Sequence, residues 1–531
     1  MKKIALITSS LTGLLLAVNI EVSGNITSDI TWSADNTYLM VGQTFVKENV
    51  TLTIEPGTII KSNPDDGNGM APALVIERGA KIMAEGTVDA PITFTSALEE
   101  QYLPQRGTWG GIIILGSAPT SSQGGENFVE GLEGIPYGGT DVDDNSGVIR
   151  YVRVWYGGRS IGQDNEINGI TLAGVGRGTT IDHCEVAWNL DDGFEFFGGT
   201  VDLKYCSVLF VGDDAFDVDE GYQGRAQFLF ALVGANEGNR AHEMDNKTNG
   251  NLDSQPRSHP IWYNVTLVGS GLVDANGDTV SADNDQAIRV REGVGGQFGN
   301  YIVINGKETG LKNSDNGSEI VTNDWSSAEN AGYPNYLYWS PNNIIYNCND
   351  GQFAGDYGLS ALNTDPGLIS IDGREIGGII DPRPTLGGAA YENIDTVPTD
   401  DFFTAVNYKG AFGTENWMAG LSWLDEQNRL GTSSLNVDDI IATPFEFNLL
   451  GNFPNPFNPE TSIRFSLEST SEVNVNIFNI MGQEIAQFEY GMLNSGIHNI
   501  EWNAGHVPSG IYFYQIRANN ATKIGKMTLM K

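Results

Sequence analysis

Carboxylates crowd one stretch of this sequence. Asp191, Asp192 and Glu195 are followed by Asp213, Asp214, Asp217, Asp219 and Glu220. Laid over itself at an offset of 22, the stretch puts Ile181 on Leu203, Cys184 on Cys206, Val186 on Val208 and Trp188 on Phe210. Asp191 and Asp192 fall on Asp213 and Asp214, Phe194 on Phe216, and Glu195 on Asp217. A period this short, built from alternating apolar runs and Gly/Asp turns, does not fit helical repeats and fits one turn of a right-handed parallel β-helix. Equivalent residues then stack about 4.8 Å apart, so the aspartates form a ladder. Neighbouring rungs repel by about 1 kcal/mol in water and by about 3–4 kcal/mol at an effective dielectric of 20.

Three chemistries fit such a ladder. It is a set of solvated or hydrogen-bonded corners, because Asp favours tight turns. Or it is a cation site, with Asp191, Asp192, Asp213, Asp214 and Asp217 as hard oxygen ligands for Ca²⁺. Or it is catalytic, with Asp191, Asp213 and Asp214 beside Arg289 as acid and base. Burial decides among them, since half-buried carboxylates need a cation, an Arg or Lys, or a raised pKa.

The surrounding elements must hold that ladder. TIEPGTII (53–60) over VIERGAKI (75–82) suggests the same period near the start of the coil. IRYVRVWY (149–156) aligns with 181–188 at an offset of 32, which implies an insertion near Gly157–Ile167. RAQFLFAL (225–232) continues the coil, and Ala235 and Asn236 are expected where the next aspartate pair would fall. Gln286-Ala287-Ile288-Arg289-Val290 takes a place like Asp192-Gly193-Phe194-Glu195-Phe196. Further strands are read at 90–96, 112–115, 261–269, 300–306 and 342–347. Residues 116–147 read as a loop off the coil, in which Asp141, Asp143 and Asn145 form an Asx-rich turn rather than an EF-hand. Residues 350–430 are weakly periodic and are expected to cap the open end of the solenoid, with helical spacing at 417–431.

The formal net charge of −38 argues against nucleic acid, whose binding needs Lys and Arg on phosphates. No apolar run after the N-terminus is long enough for a membrane helix, so no transmembrane segment is expected in the mature chain. MKKIALITSSLTGLLLAV reads as a signal peptide ending near Val22-Ser23-Gly24. Cys184, Cys206 and Cys348 are too few for a disulfide framework, and the first two are expected to stack as buried thiols.

The organisation expected is therefore a signal peptide over 1–24, a β-helix over 25–431, a linker over 432–444 and a small β-sandwich over 445–531. The last segment carries four ordered motifs. They are Asn452-Phe453-Pro454-Asn455-Pro456-Phe457-Asn458-Pro459, Ile477-Phe478-Asn479-Ile480-Met481-Gly482-Gln483-Glu484, Pro508-Ser509-Gly510-Ile511-Tyr512-Phe513-Tyr514 and the terminal Lys531. They resemble the C-terminal sorting domain of type IX secretion cargo, an immunoglobulin-like sandwich. That resemblance implies passage by the Sec pathway and then across the outer membrane, through a translocon that docks residues 445–531, to the medium or the cell surface.

Residues 108–119, 148–156 and 189–223 resemble a group of exported parallel β-helix proteins that carry this sorting domain. Asn189-Leu190-Asp191-Asp192-Gly193, Gly212-Asp213-Asp214 and Ile288-Arg289-Val290-Arg291 also resemble motifs of pectin-cleaving β-helix glycosidases. That family's Gly-His-Gly is missing, because none of His183, His242, His259, His498 and His506 lies between glycines. Lyase-type β-helices pair Ca²⁺-bound carboxylates with a Lys or Arg base, and Arg289 and Arg291 fit that role. Trp155, Tyr156, Trp188, Trp262 and Trp325 are candidates either for core fill or for stacking on sugars. The leading expectation is a non-catalytic surface protein for adhesion or glycan binding, stabilised by Ca²⁺, with an extracellular polysaccharide as partner. The alternative is a polysaccharide-degrading glycosidase or lyase at the Asp191/Asp213 ladder.

Overall fold

The computed structural model describes residues 19–64, 71–129, 132, 134–159, 167–246, 254–273, 279–314, 320–322, 336–354, 359–371, 374, 378–432, 447–453, 455–467, 471–493, 496–519 and 521–531. The body of the expected signal peptide and most of the expected linker lie outside them, as does Trp325.

Short strands stack in parallel into a β-helix of three faces, whose ladders join 26 strands in one continuous sheet. In the middle coils, the strands Gly147–Trp155, Thr180–Ala187, Asp202–Leu209, Arg225–Leu232 and Ile261–Val268 each run over two faces. Each bends at one residue with φ between 48° and 62°: Tyr151, His183, Tyr205, Phe228 and Asn264. Such backbone costs about 1–3 kcal/mol per non-glycine residue. Stacking offsets it, because Tyr151, His183, Tyr205 and Phe228 form a ring ladder with centroids 4.5, 4.5 and 4.7 Å apart. The third face is made by Ile170–Ala173, Phe194–Phe197, Phe216–Asp219, His242–Met244, Gln286–Arg291 and Thr309–Ser314.

Strand alternation sends Ile181, Cys184, Val186, Phe194 and Phe196 into a dry core. The repeat between 181 and 222 is in the expected register: Ile181 pairs with Leu203, Cys184 with Cys206 and Glu195 with Asp217. Both of those thiols are buried, and burial raises the Cys206 pKa. The offset-32 match also holds, with Ile149 on Ile181 and Val154 on Val186.

Two registers differ from expectation. Leu52 pairs with Ile82 and Ile60 with Phe94, offsets of 30 and 34, so 53–60 and 75–82 are not equivalent parts of successive coils. Both segments turn at a glycine with positive φ, Gly57 at 81° and Gly79 at 79°, and the 22-residue match superposes these two different corners. After Asp213 and Asp214 the next coil carries Asn239 and Arg240 rather than Ala235 and Asn236, because one residue is added before strand 225–232 (Leu203 pairs with Ala226) and three more at the corner (Phe216 pairs with His242).

The segment expected to cap the solenoid does so only briefly. Leu362 bridges to Ile344 at the last coil, and the chain then returns along the flank as a strap. Asp395 meets Asn300, Ala411 donates to Thr266, and Trp423 packs on Trp188 at 5.4 Å. The apolar side of the strap covers Phe230, Val268, Ile302 and Ile344, outward residues that would otherwise face water. Glu185 fastens it. This fully buried carboxylate accepts from Trp423 N–H (2.6 Å), Trp155 Nε1–H (3.2 Å) and Ser207 Oγ–H (2.9 Å). Helix is limited to Trp423–Glu426 within the expected 417–431, started by the Ser422 side chain accepting Leu424 N–H.

The chain forms two compact units, residues 1–434 and 435–531. The second has a three-stranded antiparallel sheet (448–453, 460–467, 496–503) and a four-stranded one (484–493, 471–479, 510–518, 521–529). Phe457, Phe465, Val475, Trp502, Tyr514 and Leu529 are buried in its core. The Lys531 ammonium donates to the carbonyls of Gly505 (2.8 Å) and Val507 (2.6 Å).

Candidate functional site

The strap seals one flank of the coil, and the loop 117–138 covers the early part of the third face. Val129, Leu132 and Tyr137 of that loop bury Ile113, Leu115 and Ala173. Glu220 holds the loop, accepting from Thr120 Oγ1 (3.1 Å), Ser122 Oγ (2.7 Å), Asn127 Nδ2 (2.8 Å) and Tyr137 Oη (2.6 Å). Glu220 is therefore a structural anchor rather than a rung. Nearby, Asp143 N–H donates to Asp141 Oδ1 and Gly147 N–H to Asn145 Oδ1, the Asx turns expected of that segment.

Beyond this loop the third face carries charge. Its outward column runs Glu195, Asp217, Glu243, Arg289, Lys312 in strand register, so the sign reverses along the coil axis. Arg289 Nη1 lies 3.9 Å from Glu243 Oε1, and Arg291 Nη2 lies 3.1 Å from the same oxygen and 2.6 Å from Asp245 Oδ2.

A second column runs at the corner before these strands. Asn168 Oδ1 accepts Asp192 N–H (3.2 Å), Asp192 Oδ1 accepts Asp214 N–H (2.8 Å), and Asp214 Oδ1 accepts Arg240 N–H. Each side chain thus caps the corner of the coil above it, as Asp does in turns. Backbones approach closely here, and a Cβ on Gly212 would fall 1.9 Å from Leu190 O. The Asp-Asp-Gly and Gly-Asp-Asp sequences answer both demands.

Of the predicted ligands, the structure brings four together with Glu195. Carboxylate oxygens of Asp191, Asp192 and Asp213 lie within 4.8 Å of one another, as do those of Asp192, Glu195 and Asp217. Asp192 belongs to both triads. Asp214 belongs to neither, and Arg240 Nη1 lies 3.6 Å from it. The all-oxygen donor set suits a hard cation. Asp217 Oδ1 is buried without a hydrogen-bond partner.

Burial dominates the electrostatics. It pushes Asp192, Asp214 and Asp217 well above the usual carboxylate range, with neighbouring carboxylates adding to the shift. Asp219 is raised to about 8, first by burial, and Asp245 to about 6, where burial outweighs Arg291. Glu185, raised by burial to about 7, and the network around Glu220 were not singled out by sequence reasoning as anchors.

The aromatics are less available than a sugar platform requires. Trp155, Tyr156 and Trp188 pack beneath the strap, and Trp262 is fully buried inside the coil. No helix among the described residues is long and apolar enough to cross a membrane.

Comparisons with known proteins bear on this arrangement. A family model described as a pectate-lyase-like beta helix domain matches residues 24–343. A second, described as a secretion system C-terminal sorting domain, matches residues 452–530. No curated protein matches the chain. Among solved structures, the crystal structure of full-length tailspike protein 2 from Escherichia coli O157:H7 bacteriophage CAB120 is similar at 10% identity. That match covers 93% of this chain and 64% of the tailspike, less than two thirds of its length, with a TM-score of 0.26.

Proposed function

The chain belongs to the family of pectate-lyase-like β-helix domains, and from that premise we propose that it is an extracellular protein that binds an acidic polysaccharide on its third face. The C-terminal sorting domain supports export across the outer membrane to the medium or the cell surface. In this reading Asp191, Asp192, Glu195, Asp213 and Asp217 hold Ca²⁺, and Arg289, Arg291 and Lys312 receive the acidic groups of the polymer. The observation that carries it is the sharing of Asp192 by two carboxylate triads, on the part of the third face that reverses sign towards Arg289. Repulsion among these groups is relieved by a cation, and the bound cation then recruits a polyanion. The test is calorimetry of the exported protein with polygalacturonate and with a neutral glucan, each in calcium and in chelator. Binding of polygalacturonate that needs calcium supports the proposal, and equal binding in chelator refutes it.

One observation favours a second reading, cleavage of the polymer. Burial, with neighbouring carboxylates adding to it, holds Asp192, Asp214 and Asp217 well above the usual carboxylate range, so the ladder offers carboxyl groups suited to donating a proton. New reducing ends or unsaturated uronate ends in the same incubations would support it.

A further inference from the structure

Most residues in two motifs of the C-terminal unit have a structural task. In Ile477–Glu484, Ile477 is buried in the core. Asn479 and Gly482 build the turn. Asn479 Oδ1 accepts Met481 N–H (2.9 Å) and Gln483 N–H (3.1 Å), Asn479 N–H donates to Gln483 O (3.0 Å), and Gly482 takes a φ of 75°. In Pro508–Tyr514, Tyr512 and Tyr514 are buried, and Tyr512 Oη donates to Pro508 O (2.6 Å). Ser509 Oγ accepts Lys531 N–H (2.9 Å).

Ile480, Met481, Ile511 and Phe513 do none of this. They are 71, 74, 43 and 36% exposed, and the first two are the most exposed large apolar residues among the described ones. They share one patch. Phe478 pairs with Phe513, and strand alternation puts both on the side of the four-stranded sheet opposite buried Ile477, Tyr512 and Tyr514. Asn479 pairs with Tyr512, so Ile511 comes next, beside the turn that carries Ile480 and Met481. Exposed Glu484 and Lys526 edge the patch, paired with Phe478 and Phe513. An apolar centre with a charged rim is the anatomy of a protein interface. The hydrogen-bonded turn holds its backbone in place, so docking costs little further ordering. The three-stranded sheet differs: among its described side chains the exposed ones are Glu460 and Asn503, hydrogen-bonded to each other at 2.6 Å.

We infer that this patch is the surface by which the export machinery recognises the chain, and that its partner is a protein of that machinery with an apolar cleft edged by charge. The inference rests on the export reading above. The match of residues 452–530 to a secretion system sorting domain points to the occupant, because the patch consists of motif residues that the fold of that domain leaves over.

The test compares full-length variants in cells that export the parent, by the share of chain found in the medium. Ile480→Asp combined with Met481→Asp should lower that share about tenfold, as expected when apolar contacts of an interface are lost. Ile511→Asp, on the neighbouring strand, leaves the turn untouched and should do the same. Ile480→Leu combined with Met481→Leu should export as the parent does, and so should Met492→Asp, an exposed site elsewhere in the same sheet. Parental export of either Asp variant of the patch, or an equal loss in Met492→Asp, overturns the inference. So does flotation of the purified parent, but not of the double Asp variant, with phosphatidylethanolamine and phosphatidylglycerol vesicles, which would assign the patch to lipid. A dimer of the parent that the double Asp variant loses in sedimentation would assign it to a second copy and overturn it likewise. If a chain lacking 445–531 stays in the cell while the Asp variants reach the medium, the patch alone fails. If the shortened chain also reaches the medium, the export reading itself fails.

Discussion

Asp192 and Asp214 stand one coil apart, and the first accepts the backbone N–H of the second at 2.8 Å. This hydrogen bond does two things. It fastens one corner to the next, and it fixes one oxygen of Asp192, so that the carboxylate faces Asp191 and Asp213 on one side and Glu195 and Asp217 on the other. Corner geometry and cation chemistry are therefore compatible uses of the same aspartate.

Calcium should stabilise the protein through Asp192. At a concentration 100 times the Kd, a bound ion adds about 2.7 kcal/mol to unfolding. We expect the Tm in calcium to exceed that in chelator by a few degrees. Asp192→Asn, which keeps the oxygen for Asp214 N–H, should abolish most of the difference. An Asp192→Asn protein with the full calcium response would exclude the shared carboxylate as a ligand.

Without calcium, stability should fall as pH rises. The folded-state pKa values of Asp192, Asp214 and Asp217 are raised, and those of Asp245, Glu185 and Asp219 are raised to about 6, 7 and 8. Unfolded carboxylates titrate near 4. Between about pH 4 and 8 the folded state binds more protons, so unfolding becomes easier with each unit of increase. Thermal melts at pH 5, 6.5 and 8 in chelator should show a falling Tm, with calcium reducing the slope. A rising Tm would refute the burial of these groups.

Glu185→Ala should loosen the strap. It leaves Trp423 N–H, Trp155 Nε1–H and Ser207 Oγ–H without their acceptor, at about 1–3 kcal/mol each for buried groups. Limited proteolysis should then cut near residues 411–426 while the coil stays protected. Glu185→Gln keeps one acceptor oxygen and should be milder. Equal resistance of Glu185→Ala and the parent would show that apolar packing alone holds the strap.

Removing 445–531 should leave the chain inside the outer membrane, detected by fractionation of cells expressing the truncated form. Appearance of the truncated chain in the medium at normal levels would refute residues 445–531 as the export signal.

The mature chain should begin at or before Asn19. The strand Asn19–Ile26 pairs with Thr37–Val46, and Val22 packs on the core. Processing after Gly24 would remove most of that strand, so mass spectrometry of the mature N-terminus checks the expected boundary directly.

How far the sequence revealed this architecture depended on insertions. Between Ile181 and Tyr222 the coils have equal length, and the register of Cys184, Glu195 and Asp217 could be read directly. At 53–82 the corners imitate one another and the match misleads, because Ile54 pairs with Ala84 and Val46 with Ile76. The strap has no period, since it answers to the coil rather than to itself. Its one trace lies in strands that do not alternate, such as Leu229-Phe230-Ala231-Leu232, which are apolar on both sides. The ladder was legible as residues but not as partners. Arg240, which pairs with Asp214, is brought there by the longer corner before His242.

The strap also acts as a ruler. Repeat arrays usually gain or lose units freely, because each unit touches only its neighbours. Here Leu362 is set on Ile344 and Trp423 on Glu185, while Arg374 is set on Val233, Asp395 on Asn300 and Asp400 on Arg225, so the chain between 362 and 423 is fitted to several coils at once. Inserting one coil would shift every later contact by one strand spacing, about 4.8 Å, and strand the apolar side of the strap over polar rungs. In descendants of this sequence, changes in solenoid length within the strapped span should therefore come with matched changes between residues 362 and 423, while growth ahead of the strapped coils stays free.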